Sequence, residues 1–475
     1  MEQFVLSFRK DISLIEEPEG EQVILQSPDC KLTFKQVTSG LRTALNILVT
    51  KGATAQQLMD LVQQSDRIVG KLKWFYHLQK FSELGWLCHS VFIDDIPLAI
   101  AIPIASDNQF PARDVDIQCQ YTLSRFAYCH QVEQQMVLES PLSQAKVILP
   151  NWRSAALVAK LAKPQNCHNL ATEISGITEE IAQQFVALLL NTQMLSQVQQ
   201  NGTLEEAENI TLAQWEFHDL LFHTRSRKGR HNNPAGGTYR FLGKIETLPA
   251  VKPKMSADSI DLYKPDLETL KAVDPPFTSV LEQRTSIRNY GQTSLNAQQL
   301  GEFLYRSARV RTLIKMEPAQ ISSRPYPCGG AIYELEIYLV VNICEDIPSG
   351  LYHYAPEAHQ LCWLSGKTDH VEELLKGASQ STGSPDPPQV LMIIASRFQR
   401  LAWKYESIAY ATMLKHVGVL YQTMYLVATA MDLAPCALGY GDSDLFAKAV
   451  GTNYYAETSI GEFILGSKDP NYQES

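Results

Sequence analysis

A short repeat places the strongest constraint on how this chain can fold. Residues 22–28 read Gln-Val-Ile-Leu-Gln-Ser-Pro, and residues 135–141 read Gln-Met-Val-Leu-Glu-Ser-Pro. Each copy precedes a similar helical pattern. With 475 residues, the chain is also longer than a single hydrophobic core usually organises. We therefore predict an internal duplication, with two small domains of one type in roughly the first 200 residues.

The first copy shows the pattern of a winged helix. Helices are predicted to begin at Val37, at Thr54 and at Leu72, and the second of them opens with a capping box. Two β-prone runs follow, 88–93 and 96–102, and the Asp-Asp pair between them is typical of a hairpin turn. Three helices followed by a hairpin describe a winged-helix fold.

The distribution of charge argues against DNA binding by these domains. The candidate recognition helices, 53–64 and 178–190, contain no Lys or Arg. The whole chain has 41 basic and 51 acidic side chains, a net charge of −10. Such a chain repels nucleic-acid phosphates and anionic membranes. We expect neither as a partner, and we interpret the two domains as peptide-recognition or structural domains.

Cysteine spacing and hydropathy indicate the compartment. The nine cysteines include no C-x-x-C pair, so the sequence predicts neither a zinc site nor a disulfide framework. No apolar run approaches the roughly 20 residues that a membrane-spanning helix needs. The first residues also lack the apolar core of a signal peptide. We therefore expect a soluble cytoplasmic protein without a metal site.

The last part of the chain alternates strand and helix patterns. Residues 335–342 and 390–396 are rich in Ile, Leu and Val, as strands in a sheet core are, and residues 407–431 form a long helical pattern. An α+β or mixed α/β domain is predicted here. The expected segments are winged-helix-like domains at 1–110 and 111–200, a connecting helix and loop at 201–276, and the α+β domain at 277–475.

Two arginines in the C-terminal domain form a candidate phosphate site. Arg284-Thr-Ser-Ile-Arg288 comes directly before a chain reversal at 289–291. Two guanidinium groups and the Ser286 hydroxyl can bind a phosphate, because Arg offers paired hydrogen bonds and a permanent charge. Two arginines at this spacing also occur on ordinary solvated helices.

Two glycine-rich turns are candidates for contact with a flat ring. Residues 325–331, Pro-Tyr-Pro-Cys-Gly-Gly-Ala, lead into the predicted strand, and residues 438–442 read Leu-Gly-Tyr-Gly-Asp. Glycine lets the backbone press against a ring where a side chain would clash. Ordinary tight turns have the same composition. The chain contains no G-x-G-x-x-G or Walker pattern, so a tightly bound dinucleotide or ATP is not predicted.

With these motifs, the C-terminal half resembles the nitroreductase superfamily and, within it, the SagB-type azoline dehydrogenases. The order and spacing of R-T-S-I-R, P-C-G-G-A and L-G-Y-G are similar to that branch. So are residues 350–354 with His359, the segment 215–225, and the duplicated winged-helix front. The cyanobactin oxidases are the most similar members. The resemblance implies an FMN-binding nitroreductase fold preceded by two tandem winged-helix-like domains.

The resemblance also implies where FMN binds in a homodimer. Arg284, Ser286 and Arg288 would hold the phosphate and ribityl chain, and Lys468 would add a phosphate contact. The family's usual second basic residue is replaced by Thr285, which leaves both arginines in place.

The glycine motifs would line the isoalloxazine ring of FMN. Pro327, Cys328 and Gly329 would approach it from the partner subunit, and Gly439 and Gly441 would face it near the reactive nitrogen. Cys328 stands where the family usually has Ser, which replaces a hydroxyl donor by a thiol.

The expected reaction follows from the same resemblance. Lys404 and Tyr405 match the catalytic Lys-Tyr pair of the branch; Lys404 is favoured as the base and Tyr405 as the proton relay, with the reverse assignment open. The implied activity oxidises azolines, thiazoline or oxazoline, to thiazole or oxazole in maturing ribosomal peptides. Its partners would be the azoline-containing precursor peptide and a cyclodehydratase. The alternatives are an NAD(P)H-dependent nitro or quinone reductase, or a non-catalytic peptide-recognition subunit.

Overall fold

The computed structural model describes residues 4–16, 22–106 and 113–472, which fall into two compact units, Met1–Asn233 and Pro234–Ser475. The expected boundary between residues 110 and 111 lies outside the described residues. Both units combine helices with antiparallel sheets, which confirms the predicted α+β class. Among the described residues, the helices are too short or too polar to cross a membrane.

The first unit is built from short strands and mostly short helices. Its strands are β1 (Val5–Phe8), β2 (Ser13–Glu16), β3 (Gln22–Gln26), β4 (Lys31–Lys35), β5 (Ala53–Thr54), β6 (Leu87–Ile93), β7 (Ile96–Pro103), β8 (Tyr121–Leu123), β9 (Tyr128–Val132), β10 (Gln135–Glu139), β11 (Ala145–Leu149) and β12 (Leu195–Gln197). Its helices are α1 (Ser39–Val49), α2 (Ala55–Glu83), α3 (Trp152–Lys160), α4 (Cys167–Glu173), α5 (Glu179–Asn191), α6 (Glu205–Glu208), α7 (Ile210–Ala213) and α8 (Phe217–Arg225).

The repeated sequence occupies equivalent places in two three-stranded meanders. β3 is the middle strand of the sheet β2-β3-β4, and β10 lies between β9 and β11. Each meander is followed by a helix, α1 in the first copy and α3 in the second. In both copies, the repeated sequence therefore forms the middle strand of a meander that is followed by a helix.

The two copies differ from separate tandem domains in one respect. A seven-stranded sheet with the order β5-β1-β6-β7-β11-β10-β9 contains strands of both copies. The junction is the antiparallel pair β7 and β11, in which Ile100 lies opposite Ile148. Leu98 of β7 and Val147 of β11 are fully buried in the same apolar cluster. Shared burial of apolar side chains therefore joins the copies, a long-range effect that local patterns do not reveal.

Helix α2 covers the segment where two helices were predicted. Thr54 caps it and forms the expected capping box with Gln57. The helical hydrogen bonding continues to Glu83, interrupted at Arg67, whose φ of 60° is not helical. The predicted break between two helices is thus a local kink at Arg67.

The second unit surrounds another seven-stranded antiparallel sheet, with the order β13-β18-β17-β16-β19-β21-β20. The strands of this unit are β13 (Ser259–Asp261), β14 (Thr312–Ile314), β15 (Ile321–Ser323), β16 (Leu335–Val341), β17 (Gly350–Ala355), β18 (Gln360–Ser365), β19 (Val390–Arg397), β20 (Leu433–Leu438) and β21 (Glu457–Ser467). Its helices are α9 (Leu267–Val273), α10 (Phe277–Gln283), α11 (Ala297–Ala308), α12 (Asp369–Thr382), α13 (Phe398–Ala402), α14 (Ala409–Ala430) and α15 (Ser443–Val450).

The apolar runs of β16 and β19 are explained by helices on both faces of this sheet. Leu339 of β16 packs in one cluster with side chains of α11 and α14. Its neighbour Val340 packs in another with side chains of α12 and α15. Because successive residues of a strand point to opposite faces, a sheet covered on both sides needs apolar residues at every position.

Candidate functional site

The predicted arginine motif lines a polar cleft. Arg284, Ser286 and Arg288 follow α10 and face the end of α12 across a cleft of about 740 Å³. Among the described residues, its lining includes these two arginines and no Asp or Glu. Two permanent positive charges without a carboxylate in the same cleft form an electrostatic setting for an anion.

Tyr425 of α14 ties the arginine motif to strand β20, a role that the sequence did not reveal. Its hydroxyl lies 2.7 Å from Ser286 Oγ and accepts a hydrogen bond from the Ala437 N–H at 2.8 Å. The Arg284 guanidinium lies 5.4 Å from the centre of the Tyr425 ring. Ile287 N–H also donates to Pro435 O at 2.9 Å. The arginine motif is thereby fixed beside the strand that leads to the second glycine turn.

That second glycine turn lines a neighbouring cleft of about 640 Å³. A Cβ atom on Gly441 would overlap the Glu462 carboxylate, whereas one on Gly439 would meet nothing within 4 Å. Burial raises the pKa of Glu462. Gly441 is therefore required by packing, and Gly439 leaves its surroundings open. Both clefts border the C-terminal end of α12.

The first glycine turn lies against the predicted catalytic pair. Gly330 has a φ of 64°, and a Cβ atom there would lie 2.5 Å from Lys404 Nζ and 2.8 Å from the Tyr405 hydroxyl. Both side chains are half-buried and reach the same point from the segment after α13. The fold thus brings together three residues that the sequence singled out separately.

A second loop, which sequence reasoning did not assign to the site, runs along the Lys-Tyr segment. Tyr239 N–H donates to Lys404 O at 3.2 Å, and Lys404 Nζ lies 5.6 Å from the centre of the Tyr239 ring. The Tyr239 ring also meets Trp403 edge-on, with ring centres 5.9 Å apart. Its φ of 53° is unusual for an aromatic residue. The only sequence signal was the preceding Gly-Gly pair.

Cys328 points its thiol into the protein. Tyr333 N–H donates to Cys328 Sγ at 3.1 Å, and the thiol lies 3.6 Å from Glu334 Oε2. Burial raises the pKa of Cys328 well above its usual range, and the nearby Glu334 charge raises it further. The side chain is therefore a neutral thiol that donates towards Glu334.

Glu334 and His416 complete this buried group. Gly329 N–H donates to His416 Nε2 at 2.7 Å, which leaves the ring proton on Nδ1 to be donated to Glu334 Oε1, also at 2.7 Å. Cys328, Glu334 and His416 have the mutual spacing of a metal-ligand set. A metal ion would need the Nδ1 lone pair, which this tautomer does not offer.

The predicted residues thus form two groups. The first contains the arginine motif with Gly439 and Gly441. The second contains the turn 327–330 with Lys404 and Tyr405. Lys468 belongs to neither lining, because its Nζ pairs with Asp432 Oδ1 at 2.8 Å. The assignment of these residues to cofactor contacts stays a prediction.

Comparison with protein families identifies the relatives of this arrangement. Residues 1–112 match the ThcOx helix turn helix domain, and residues 121–232 match the model described as Cyanobactin oxidase ThcOx. Both matches in the front of the chain are thus to parts of the cyanobactin oxidase ThcOx, which confirms the predicted resemblance to SagB-type azoline oxidases. Residues 281–466 match the nitroreductase family, which confirms the predicted fold of the second unit. These matches confirm the predicted activity, that of an oxidoreductase acting on peptide azolines in ribosomal peptide maturation.

Individual relatives share parts of the chain. A protein classed as nitroreductase MJ1384 of Methanocaldococcus jannaschii is 27% identical over 182 residues, 38% of this chain and 85% of that protein. The Microcin B17-processing protein McbC of Escherichia coli is 31% identical over 150 residues, 28% of this chain. The chain spans 53% of McbC's length.

Solved structures of similar fold include a Ralstonia eutropha nitroreductase and an E. coli microcin synthetase complex. The former has a TM-score of 0.35 at 18% identity, covering 50% of this chain and all of the other. The McbBCD complex, solved with truncated pro-MccB17 bound, has a TM-score of 0.34 at 18% identity, covering 53% of this chain and 91% of the other.

Proposed function

We propose that this protein binds FMN in the arginine cleft and uses Lys404 and Tyr405 to convert thiazoline or oxazoline rings to thiazole or oxazole. The observation that carries the proposal is the approach of the Lys404 amine and the Tyr405 hydroxyl to one point beside Gly330. Two groups able to accept or relay a proton there, beside a turn without side chains, suit proton removal from a substrate ring.

The arginine cleft fits the phosphate end of FMN. Arg284 and Arg288 offer paired hydrogen-bond donors, and Ser286 offers a hydroxyl. In the part of the lining that the structure describes, no carboxylate would repel a phosphate. Gly439, with open space at its Cβ position, leaves room for a flat ring in the adjoining cleft. The residues present are therefore compatible with FMN, and Lys468 remains an expected additional phosphate ligand.

A homodimer would complete the site. The two clefts beside α12 include neither the turn 327–330 nor Lys404 and Tyr405 in their linings. A flavin in the arginine cleft would then need a second copy of the chain to supply Pro327, Cys328 and Gly329. This supports the dimeric arrangement that the resemblance implies.

The chain's own residues would move the proton. Lys404 accepts the proton from Cα of the azoline, and Tyr405 orients Lys404 or relays the proton. Held by Arg284, Ser286 and Arg288, FMN would supply the two-electron acceptor for the hydride that leaves Cβ, with dioxygen as the final oxidant. The substrate thus loses one proton and one hydride, which leaves the aromatic azole.

The first unit offers a place for the precursor peptide. Within the described residues β4 pairs with β3 alone, so its other edge can accept an added strand. A cleft of about 650 Å³ lies between β4 and α2. An extended peptide at this edge would be held by backbone hydrogen bonds.

Further partners and the compartment follow from the same proposal. A cyclodehydratase must supply the azoline, and the similarity to McbC, a Microcin B17-processing protein, supports such a pathway. All nine cysteines lie within the described residues and are free thiols, which suits the reducing cytoplasm.

The proposal is tested by anaerobic mixing of the purified flavoprotein with a heterocyclised peptide. Bleaching of the flavin absorbance, with loss of two hydrogens per ring by mass spectrometry, is the expected result. Bleaching by NADPH alone would support a reductase instead. If neither substance bleaches the flavin while the peptide still binds, the chain is a recognition subunit.

A further inference from the structure

A buried histidine and a buried glutamate are connected to the first glycine turn by hydrogen bonds. Glu334 is 0% exposed and His416 is 6% exposed. Neither side chain contacts the substrate in the proposed proton transfer, and Glu334 is distant in sequence from the Lys-Tyr pair. Burying a carboxylate is unfavourable unless it makes specific polar contacts. The contacts made here all lead to the glycine turn.

A series of contacts links Glu334, through His416 and Gly329, to Gly330. Glu334 Oε1 accepts the His416 Nδ1 proton at 2.7 Å, and His416 Nε2 accepts the Gly329 N–H at 2.7 Å. The next residue, Gly330, lies against the Lys404 amine and the Tyr405 hydroxyl.

Both glycines of the turn are closely packed against side chains of the site. A Cβ atom on Gly329 would lie 3.2 Å from His416 Nε2, so the imidazole is in close packing contact with the backbone. Cys328 adds a second connection, because its thiol donates towards Glu334 Oε2. The turn is therefore in contact with His416 at Gly329 and with Lys404 and Tyr405 at Gly330, which restricts its movement.

We propose that His416 and Glu334 are positioning residues that hold the Gly329–Gly330 turn against Lys404 and Tyr405, and so fix where these two groups meet the substrate. This inference rests on the proposed azoline oxidation. It also assigns the Gly329 N–H to His416, so that this amide is not a donor to the flavin. His416 and Glu334 do not touch substrate; they act through the backbone of the turn.

The experiment compares His416→Phe with His416→Gln. Phe keeps a ring of similar size but accepts no hydrogen bond, whereas the Gln carbonyl can accept the Gly329 N–H. His353→Phe is the matched control, because His353 is also buried, pairs with Glu336 at 3.2 Å and does not contact the turn.

The first readout is flavin bleaching by saturating azoline peptide without oxygen. A misplacement of reacting groups by about 1 Å lowers such a rate on the order of a hundredfold. We expect a loss of that size in His416→Phe, partial recovery in His416→Gln, and near wild-type rates in His353→Phe. Reoxidation of dithionite-reduced enzyme by oxygen, which needs no base, should proceed at the wild-type rate in all three.

The second readout needs no turnover. Hydrogen–deuterium exchange of the peptide spanning 327–333 should accelerate in His416→Phe and stay slow in His353→Phe, while the Kd for FMN in a fluorescence titration changes less than threefold. Equal bleaching rates in His416→Phe and wild type would overturn the inference. So would parallel losses of bleaching, reoxidation and FMN binding, which would indicate general destabilisation. If wild-type enzyme itself is not bleached, the proposed function fails, and the exchange measurement still decides whether His416 holds the turn.

Discussion

At the scale of single residues, Gly330 matters because of what it lacks. Its backbone φ of 64° lies in the left-handed region, and the two nearest side-chain atoms already occupy the space of a Cβ. The sequence suggested that this turn makes room for a flat cofactor ring. In the structure the room is taken by the Lys404 amine and the Tyr405 hydroxyl.

Gly330→Ala should therefore suppress azole formation. Its Cβ would displace Lys404 and Tyr405, with a rate loss on the order of a hundredfold, and the left-handed backbone adds about 1 kcal/mol of strain. FMN binding should be retained. The measurement is azole yield by mass spectrometry beside the flavin content, with Gly418→Ala, where a Cβ meets nothing within 4 Å, as control. Wild-type yield from Gly330→Ala would contradict this account of the turn.

The ion pair of Glu336 and Arg397 should contribute strongly to stability. Burial opposes ionisation of Glu336, but Arg397 and the His353 hydrogen bond outweigh it and lower the pKa of Glu336 to about 2. Glu336→Gln leaves Arg397 as a buried charge, so unfolding in denaturant should show a loss of about 3–5 kcal/mol. Glu268→Gln, in the exposed pair with Lys271, should change stability by less than about 1 kcal/mol.

The sign of the pH dependence follows from the same shift. The folded-state pKa of Glu336 lies below the unfolded value of 4.5, so its contribution is complete above pH 4.5 and is lost as the pH falls towards 2. The Tm of wild type should drop across this window more than that of Glu336→Gln. Parallel Tm curves for the two proteins would count against the ionised pair.

At the scale of elements, helix α14 connects both halves of the site. Tyr425 on this helix holds Ser286 and the Ala437 amide, and His416, nearer its start, holds the first glycine turn. One rigid element therefore sets the positions of the phosphate motif and of the proton-transfer turn.

Tyr425→Phe should weaken FMN binding. Removal of the hydroxyl leaves the Ala437 N–H without its partner and frees Ser286, a loss of about 1–3 kcal/mol, or roughly five- to a hundredfold in Kd. The measurement is a fluorescence titration of the apoprotein with FMN. Thr423→Val on the same helix, which loses a hydroxyl bonded to Val419 O, is the control. Equal Kd values for both variants would contradict this role of Tyr425.

The cleft between β4 and α2 should determine precursor affinity without affecting the chemistry. Leu72 is 70% exposed and Tyr76 is 64% exposed along its wall. The double variant Leu72→Asp, Tyr76→Asp should weaken binding of a labelled precursor at least about tenfold, because two apolar contacts are lost. Ile210→Asp, another exposed apolar position, should bind normally. Anisotropy titration measures this, and oxidation of a short azoline peptide should be unchanged. If the double variant still binds the precursor tightly, the precursor does not bind in this cleft.

At the scale of the whole molecule, a site shared between two copies can be tested by complementation. Lys404→Ala removes the proposed base beside the turn 327–330. The double variant Arg284→Ala, Arg288→Ala removes the proposed phosphate ligands. Each should be inactive alone. After subunit exchange in an equal mixture, half of the dimers are mixed and each holds one complete site, so about a quarter of wild-type activity should return. Mass spectrometry would confirm that the subunits have exchanged. If the mixture is then still inactive, Lys404 and the two arginines of the same subunit form one site.

Local features of this molecule were accessible from sequence, and long-range ones were not. The capping box of Thr54 and Gln57 and the strand at 335–341 depend on neighbouring residues, and the structure has both. His416 lies 87 residues from Gly329, and no pattern around it signals the hydrogen bond. Tyr425 and Tyr239 were missed for the same reason. The arginine and glycine motifs predicted which residues form the site, whereas the contacts that support those residues are visible only in the fold.

The pairing of β7 with β11 limits how the front of this protein can be rearranged. A fragment ending after the first copy would present the bare edge of β7, with unpaired amides and carbonyls that invite association with other chains. Gene fusions or deletions that separate the copies would therefore yield proteins that are prone to aggregate. We therefore expect the two copies to fold only together, as one unit.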